Sequence, residues 1–203
     1  MQQSAVPTDG RAARAARTRE AIVDASIGLV EEGDLRPTAP RIAERAGVSV
    51  RSVFQHFDDL PALHTAVIER IVERLAVLVV VIDPALPRDE RITAFVDHRA
   101  LLLEAVLPFR RAAAVHGPFA PEIRDAAARG SAFLRSEVEE AFAADLDLLP
   151  AEERRELLDA LAACASWAMW DTLRSEAGDS PEQARGVLDR TIRSLLAGVP
   201  SAE

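Results

Sequence analysis

Apolar residues recur three and four apart along most of the chain, the spacing of one helix face, and proline and glycine cut the pattern into segments. Residues 19–32 place Ile22, Ile27 and Val30 near one side of a helix that Gly33 ends. A short helix over 38–46 follows, with the Thr38 hydroxyl at its cap and Ile42, Ala43 and Ala46 as its apolar face. Gly47 supplies the positive φ of a tight turn, and Ser49 caps a second short helix through residue 57. Val53 and Phe57, four apart, with Phe54 beside them, can pack on Ile42 and Val48, which leaves Val50, Arg51, Ser52, Gln55 and His56 facing outward. Further along, Pro61 opens a helix to about residue 82, whose apolar run 75–82 reads as its buried end. Pro84 and Pro87 break it, and helices over 89–106 and 109–116 stand on either side of Pro108. The turn 117–121 leads to a helix over 122–144, Pro150 opens one over 151–177, and Ser180-Pro181-Glu182-Gln183 is a capping box that starts the last, through 197. The pattern predicts an all-α chain of about nine helices.

The two short helices joined at Gly47 have the layout of a helix-turn-helix, and the outward residues of the second are those that enter a DNA major groove. The run R-E-A-I-V-D-A-S-I-G-L-V-E-E-G, then T-A-P-R-I-A-E-R-A-G-V-S-V-R-S-V-F-Q-H-F, then L-P-A-L, resembles the N-terminal domain of the TetR/AcrR family of bacterial transcriptional regulators over residues 18–63. The resemblance implies a three-helix DNA-binding domain followed by a helical ligand-binding and dimerisation domain. It also implies DNA contacts from Thr38, Arg41, Ser49, Val50, Arg51, Ser52, Phe54, Gln55 and His56. The chain departs from the family pattern in places. Phe54 stands where a phosphate-bonding Tyr is usual, Arg51 where a small residue is usual, Leu60 behind Asp58 and Asp59 where a Lys is usual, and Pro40 removes a side chain that often reaches DNA. Arg51 can compensate, because a guanidinium near the start of a recognition helix can clasp O6 and N7 of a guanine.

Charge sharpens the division of the chain. The net charge of −9 argues against DNA binding, yet the first 60 residues carry eight arginines against nine acids, so the acidity belongs to the remainder. Within 11–19, R-A-A-R-A-A-R-T-R has four cations and no acid, and Arg11, Arg14 and Arg17 read as a basic arm ahead of the first helix, able to follow phosphates. The expected organisation is a disordered tail over 1–10, a DNA-binding domain over 11–60 and an effector-binding and dimerisation domain over 61–203.

In relatives the last two helices form an antiparallel pair that meets its twin in a four-helix bundle. By that resemblance a homodimer is expected through Leu157, Leu161, Ala165 and Ala168 on one helix and Val187, Thr191 and Leu195 on the other. Apolar positions able to line an effector cavity are Leu78, Ile92, Phe95, Leu102, Phe133 and Leu134, with His98, Arg99, His116 and Cys164 as polar candidates. Aromatic residues make up only 4% of the chain, which disfavours a cage for cationic ligands.

Other chemistry finds little support. There is no glycine-rich phosphate loop and no nucleophile elbow, and the four histidines lack metal-ligand spacing, so neither catalysis, a metal nor a cofactor is expected. The single Cys164 excludes an intrachain disulfide and points to a reducing cytoplasm. Every cation is Arg, with Lys, Asn and Tyr absent, a GC-rich bias that suggests a bacterium. The apolar run 75–82 falls short of the ~20 residues of a membrane span. The reading is a repressor that a small apolar or amphipathic effector releases from a pseudo-palindromic operator in double-stranded DNA. The alternative is a small-molecule binding protein with weakened DNA affinity.

Overall fold

The computed structural model describes residues 8–200. Its helices are α1 (Thr8–Glu31), α2 (Ala39–Ala46), α3 (Val50–His56), α4 (Leu60–Ala76), α5 (Arg88–His116), α6 (Pro121–Ala141), α7 (Ala143–Leu146), α8 (Ala151–Cys164), α9 (Trp167–Asp171), a π-helical turn (Thr172–Glu176) and α10 (Pro181–Leu196). Among the described residues there is no strand, and nine helices have five residues or more once the π turn is set aside. No helix of the described residues is long and apolar enough to cross a membrane. Of the tail expected over 1–10, residues 1–7 lie outside the described residues, and 8–10 already belong to α1.

The chain divides into two compact units. The first runs to Arg74 and includes Arg111–Asp125, so it extends past residue 60 and takes in α4. Its core is built from Ile22, Ile27, Ile42, Val53, Phe57 and Leu63, all nearly inaccessible to water. Arg70 and Arg74 of α4 both reach Asp24 of α1, at 3.3 and 2.9 Å.

The second unit comprises Leu75–Arg110 and the chain from Ala126 on. Phe95, Phe142, Leu161, Trp170, Leu188 and Ile192 are among the side chains buried at its centre, and α8 packs against α10. Asp145, 2% exposed, accepts from Arg88 at 2.6 Å and Arg91 at 2.5 Å. The same arginines hold the unit's edges: Arg91 donates to the carbonyls of Pro84 and Leu86, and Arg88 to those of Val199 and Pro200. A buried carboxylate between two guanidiniums satisfies lone pairs that would otherwise be stranded from water.

Four boundaries differ from the sequence expectation. Residues 11–17 are not an arm but about two turns of α1, because the A-A-R-A-A-R run consists of strong helix formers. The run 75–82 is not a buried helix end: α4 stops at Ala76, and Val77, Val80 and Val81 are 82%, 57% and 84% exposed. Consecutive β-branched residues ahead of Pro84 disfavour continuation. Conversely, α5 runs through Pro108, whose missing N–H leaves one intrahelical bond unmade. Burial of Leu103, Leu107 and Ala112 on either side offsets that loss. The helix expected over 151–177 breaks at Ala165, where Ser166 starts α9 by accepting from the Met169 N–H at 3.3 Å. The capping box at Ser180 is present, with both Ser180 and Gln183 making their reciprocal bonds.

Two residues expected at a dimer seam, Leu161 and Ala165, are 0% exposed within the chain's own core and are unavailable to a partner. The apolar face of α8 that they share turns inward because Leu158 lies on it as well. Leu161→Ala should therefore lower unfolding free energy by about 2 to 5 kcal/mol in urea titrations, whereas Ala168→Ser, at an exposed position, should leave the midpoint in place.

Candidate nucleic-acid interface and effector region

The helix-turn-helix assembles as local chemistry dictates. Gly47 takes φ 68° and donates to the Glu44 carbonyl at 3.1 Å, while the Val48 N–H reaches Ala43 at 2.9 Å, so the end of α2 is closed. Ser49 accepts from the Ser52 N–H at 3.1 Å and starts α3. Thr38 holds the N-cap position of α2 without a side-chain capping bond. Pro40, the second residue of the helix, lacks one of the two N–H groups that a capping hydroxyl can use. Thr38 is exposed instead. Val53 and Phe57 face the core, and the guanidinium of Arg19 lies over the Phe57 ring at 4.8 Å. Phe54 does not pack with them: it is 49% exposed, a hundred degrees round the helix from Val53. Val50, Arg51 and Gln55 are exposed beside it, and Ser52 and His56 are half-buried.

Ion pairs decide which cations this face offers. Arg41 pairs with Asp34 at 2.7 Å, and Arg45 forms a two-pronged pair with Glu32 at 2.5 and 2.7 Å. The hydrogen bonds from Arg45 hold the Glu32 carboxyl below its ordinary pKa and raise that of Arg45. Arg45 lies across Gly28, where a Cβ would stand 2.7 Å from a guanidinium nitrogen. Arg51 has no ion-pair or hydrogen-bond partner among the described residues, so its charge is uncommitted. Arg11, Arg14 and Arg17 are exposed and three apart, near one side of α1. At the far end of α3, Asp59 accepts from the Ala62 N–H at 2.8 Å and caps α4, leaving Leu60 44% exposed at the first position of that helix.

This geometry has counterparts among solved structures. A transcriptional regulator from a Rhodococcus species superposes with TM-score 0.66 at 19% identity, over 93% of this chain and 99% of its own. A TetR-family transcriptional regulator from Mesorhizobium loti gives TM-score 0.64 at 17% identity, over the same shares. NalD, the secondary repressor of the MexAB-OprM multidrug efflux pump in Pseudomonas aeruginosa, gives 0.52 at 22%, over 93% and 99%. The chain has the TetR-family regulator fold. No protein-family model matches the sequence, and no curated protein does.

Within the TetR-type fold the expected effector residues do not form one site. Ile92, Phe95 and Leu102 are buried, the first two in the core of the second unit. His98 and Arg99 are buried as well and share Glu137, at 3.4 and 3.2 Å. Arg99 lies over the Phe95 ring at 4.7 Å and donates to the carbonyls of Leu134 and Ala165, each at 3.0 Å, with its Nε left unbonded. Burial lowers its pKa to about 10, against the pull of Glu137. Burial likewise pushes the Cys164 thiol up to about 11, and it donates to the Leu161 carbonyl. Phe133 is 42% exposed, Leu78 lies outside any helix, and His116 belongs to the first unit. Only Leu134 borders the groove of about 320 Å³ that lies between α6 and α8. Among the described residues no cluster of three metal-binding side chains occurs. Of the remaining seam residues, Leu157, Val187, Thr191 and Leu195 are half-buried and Ala168 is exposed.

Sequence reading overlooked Glu137, Glu122 and His64, which sit too far from their partners along the chain to leave a local pattern. His64 Nδ1 stands 2.8 Å from Glu122, and its ring is 5.9 Å from that of His116. Burial, then the charge of His64, depresses the His116 pKa, with Arg36 adding to the repulsion and a backbone bond at Leu35 opposing it. Since the folded chain favours neutral His116, its share of stability is present above the ordinary value near 6.5. It is lost as pH falls below that value and levels off beneath the folded-state pKa. Melting temperature should therefore fall between pH 7.5 and pH 5.5, and His116→Gln should flatten that part of the profile. A variant with an unchanged acid slope would assign the loss to other groups.

Proposed function

We propose that the chain is a dimeric DNA-binding transcriptional regulator, a repressor that an amphipathic small molecule releases from a pseudo-palindromic operator. The outer face of α3 carries the proposal: a capped recognition helix presents Val50, Arg51, Phe54 and Gln55 to solvent, with Arg51 unpaired. Arg51 clasps a guanine edge in the major groove, Gln55 and His56 add base or phosphate contacts, and Ser49, Ser52 and Thr38 bond the backbone. Arg41 adds a phosphate contact while paired with Asp34. Arg11, Arg14 and Arg17 give α1 a basic ridge toward phosphates, which positions without specifying.

A dimer places two recognition helices about 34 to 36 Å apart, one turn of the duplex. It forms through the half-buried stripe of Leu157 on α8 and Val187, Thr191 and Leu195 on α10, with Ala168 beside it. An effector that binds better to the arrangement in which the helices are mis-spaced weakens DNA binding by the same factor. The repressor role of NalD in an otherwise similar fold favours this sign of control.

A second reading, a ligand-binding protein with weakened DNA affinity, draws on the pairing of Arg41 and Arg45 with acids and on exposed Asp58 and Asp59 beside the recognition helix. Selection of bound fragments from genomic DNA separates the two, since the first requires enrichment of one palindromic motif and the second predicts none.

On that motif, Arg51→Ala should cost about 1 to 3 kcal/mol and relax preference at one base pair per half-site. Equal losses on random DNA would make Arg51 a phosphate contact. Leu60→Lys adds a cation at an exposed helix start and should steepen the dependence of log K on log salt by roughly 1.8 for two subunits, with base preference unchanged. Light scattering should find monomers for Ala168→Arg; a dimer that persists moves the interface elsewhere.

A further inference from the structure

We infer that the groove between α6 and α8 binds a small planar aromatic monocarboxylate. This names the ligand of the effector-responsive reading above and rests on it. The groove is bordered by Ser131, Leu134 and Arg135 of α6, by Asp159, Ala162 and Ala163 of α8, and by Ser166 and Trp167 beyond the helix break. Its volume of about 320 Å³ stands at the lower end of small-molecule pockets, ~300 to 1,000 Å³, which suits a one- or two-ring compound.

Shape and charge each narrow the chemistry. Leu134, Ala162 and Ala163 give an apolar wall with little relief, and Trp167 contributes an indole at one end. The guanidinium of Arg110 lies over the Trp167 ring, 4.7 Å from its centroid. Arg110 also donates to the Ala127 carbonyl at 2.5 Å and to Ser131 Oγ at 3.2 Å, so two of its contacts are groove-lining residues. No carboxylate pairs with it among the described residues, and its Nε–H has no acceptor. Arg135, by contrast, has Asp159 at 2.6 Å, a carboxylate it shares with exposed Arg155 at 3.4 Å. Ser131 donates to Ala127 at 3.1 Å, whereas Ser166 accepts from Met169 and keeps its O–H to donate. One positive charge therefore stands uncompensated behind the groove, in surroundings that screen it less than bulk water.

A flat ring placed against the alanine wall and the indole gains apolar contact, and a single carboxylate at the Ser131 end meets the Arg110 charge. A cation meets repulsion there, and a neutral ring forgoes the ionic contact. A second negative charge finds only Arg135 and exposed Arg155, which already share Asp159 and are screened by water.

The test uses calorimetric titration of the full chain with 2-naphthoate and with 2-naphthalenemethanol, matched in ring and differing in charge. The acid should saturate one site per chain and bind about tenfold more tightly than the alcohol, the order expected of one partly screened attraction between unlike charges. Ala163→Phe, at an exposed position that tolerates bulk, should abolish binding of both. Arg110→Gln should bring the two probes together, and if that variant fails to fold, rising salt in the wild type should weaken the acid alone. Equal binding of acid and alcohol, binding that survives Ala163→Phe, or no saturable binding, as when a second copy of the chain covers the groove, would overturn the proposal. Operator affinity is measured separately: acid that binds the groove yet leaves DNA affinity unchanged supports this site and overturns release by effector.

Discussion

Arg99 carries its charge where water is excluded, and α6 and the end of α8 are arranged to accept its hydrogen bonds. Stranding a guanidinium in an apolar core costs several kcal/mol unless acceptors surround it. Here α6 supplies Glu137 and the Leu134 carbonyl, and the end of α8 supplies the Ala165 carbonyl. The last of these explains the break between α8 and α9. A carbonyl at a helix end has no intrahelical donor, so that of Ala165 takes Arg99 in its place, while that of Leu134 within α6 accepts on its second lone pair. Once the chain breaks at Ala165, Ser166 caps a new helix and Trp167 comes to the end of the groove, over Arg110. The groove, the indole and the helix break thus follow from one buried cation.

In the first unit, ion pairing occupies the arginines of α2 and α4 before any partner arrives. Asp24, Glu32 and Asp34 take up Arg70, Arg74, Arg45 and Arg41. These pairs are largely exposed and stabilise little individually, but they determine where the unit's field is positive. Outside those pairs stand Arg51 on α3, Arg36 ahead of α2, and the arginines of α1. A polyanion would meet such a surface at a few points, with a salt dependence of modest slope as the thermodynamic signature.

The parts of this architecture that depend on neighbouring residues were legible in the sequence. Gly47, Ser49 and the box at Ser180 act through bonds to the backbone three or four residues away, and each stands where the pattern put it. Pro108 and Ala165 failed as guides because distant residues overrule them. Burial of Leu103 and Leu107 carries α5 through a proline, and Arg99, 66 residues before Ala165, stabilises a break where the local pattern is helical. Phe54 misled because aromatic residues are usually buried, yet a face already filled by Val53 and Phe57 has no place for a third. Leu161 misled for the opposite reason: α8 is apolar on more than one side, and periodicity alone cannot say which side meets a neighbouring helix of the same chain. The effector candidates were apolar positions without a shared motif, and the groove is bordered chiefly by alanine, serine and an ion pair, residue types that carry little individual signal.

Gly28 gives the first unit a silent control point. A methyl group there would meet the tip of Arg45 at 2.7 Å, and because that tip is flexible, the backbone could stay as it is while the guanidinium swung away from Glu32. The substitution would turn a cation locked within the protein into one free to seek another anion, and would leave Glu32 uncovered beside it. A single atom at a position outside α3 would then alter the ionic character of the neighbouring face, so drift at Gly28 can retune the charge this surface offers while every exposed side chain of α3 remains untouched.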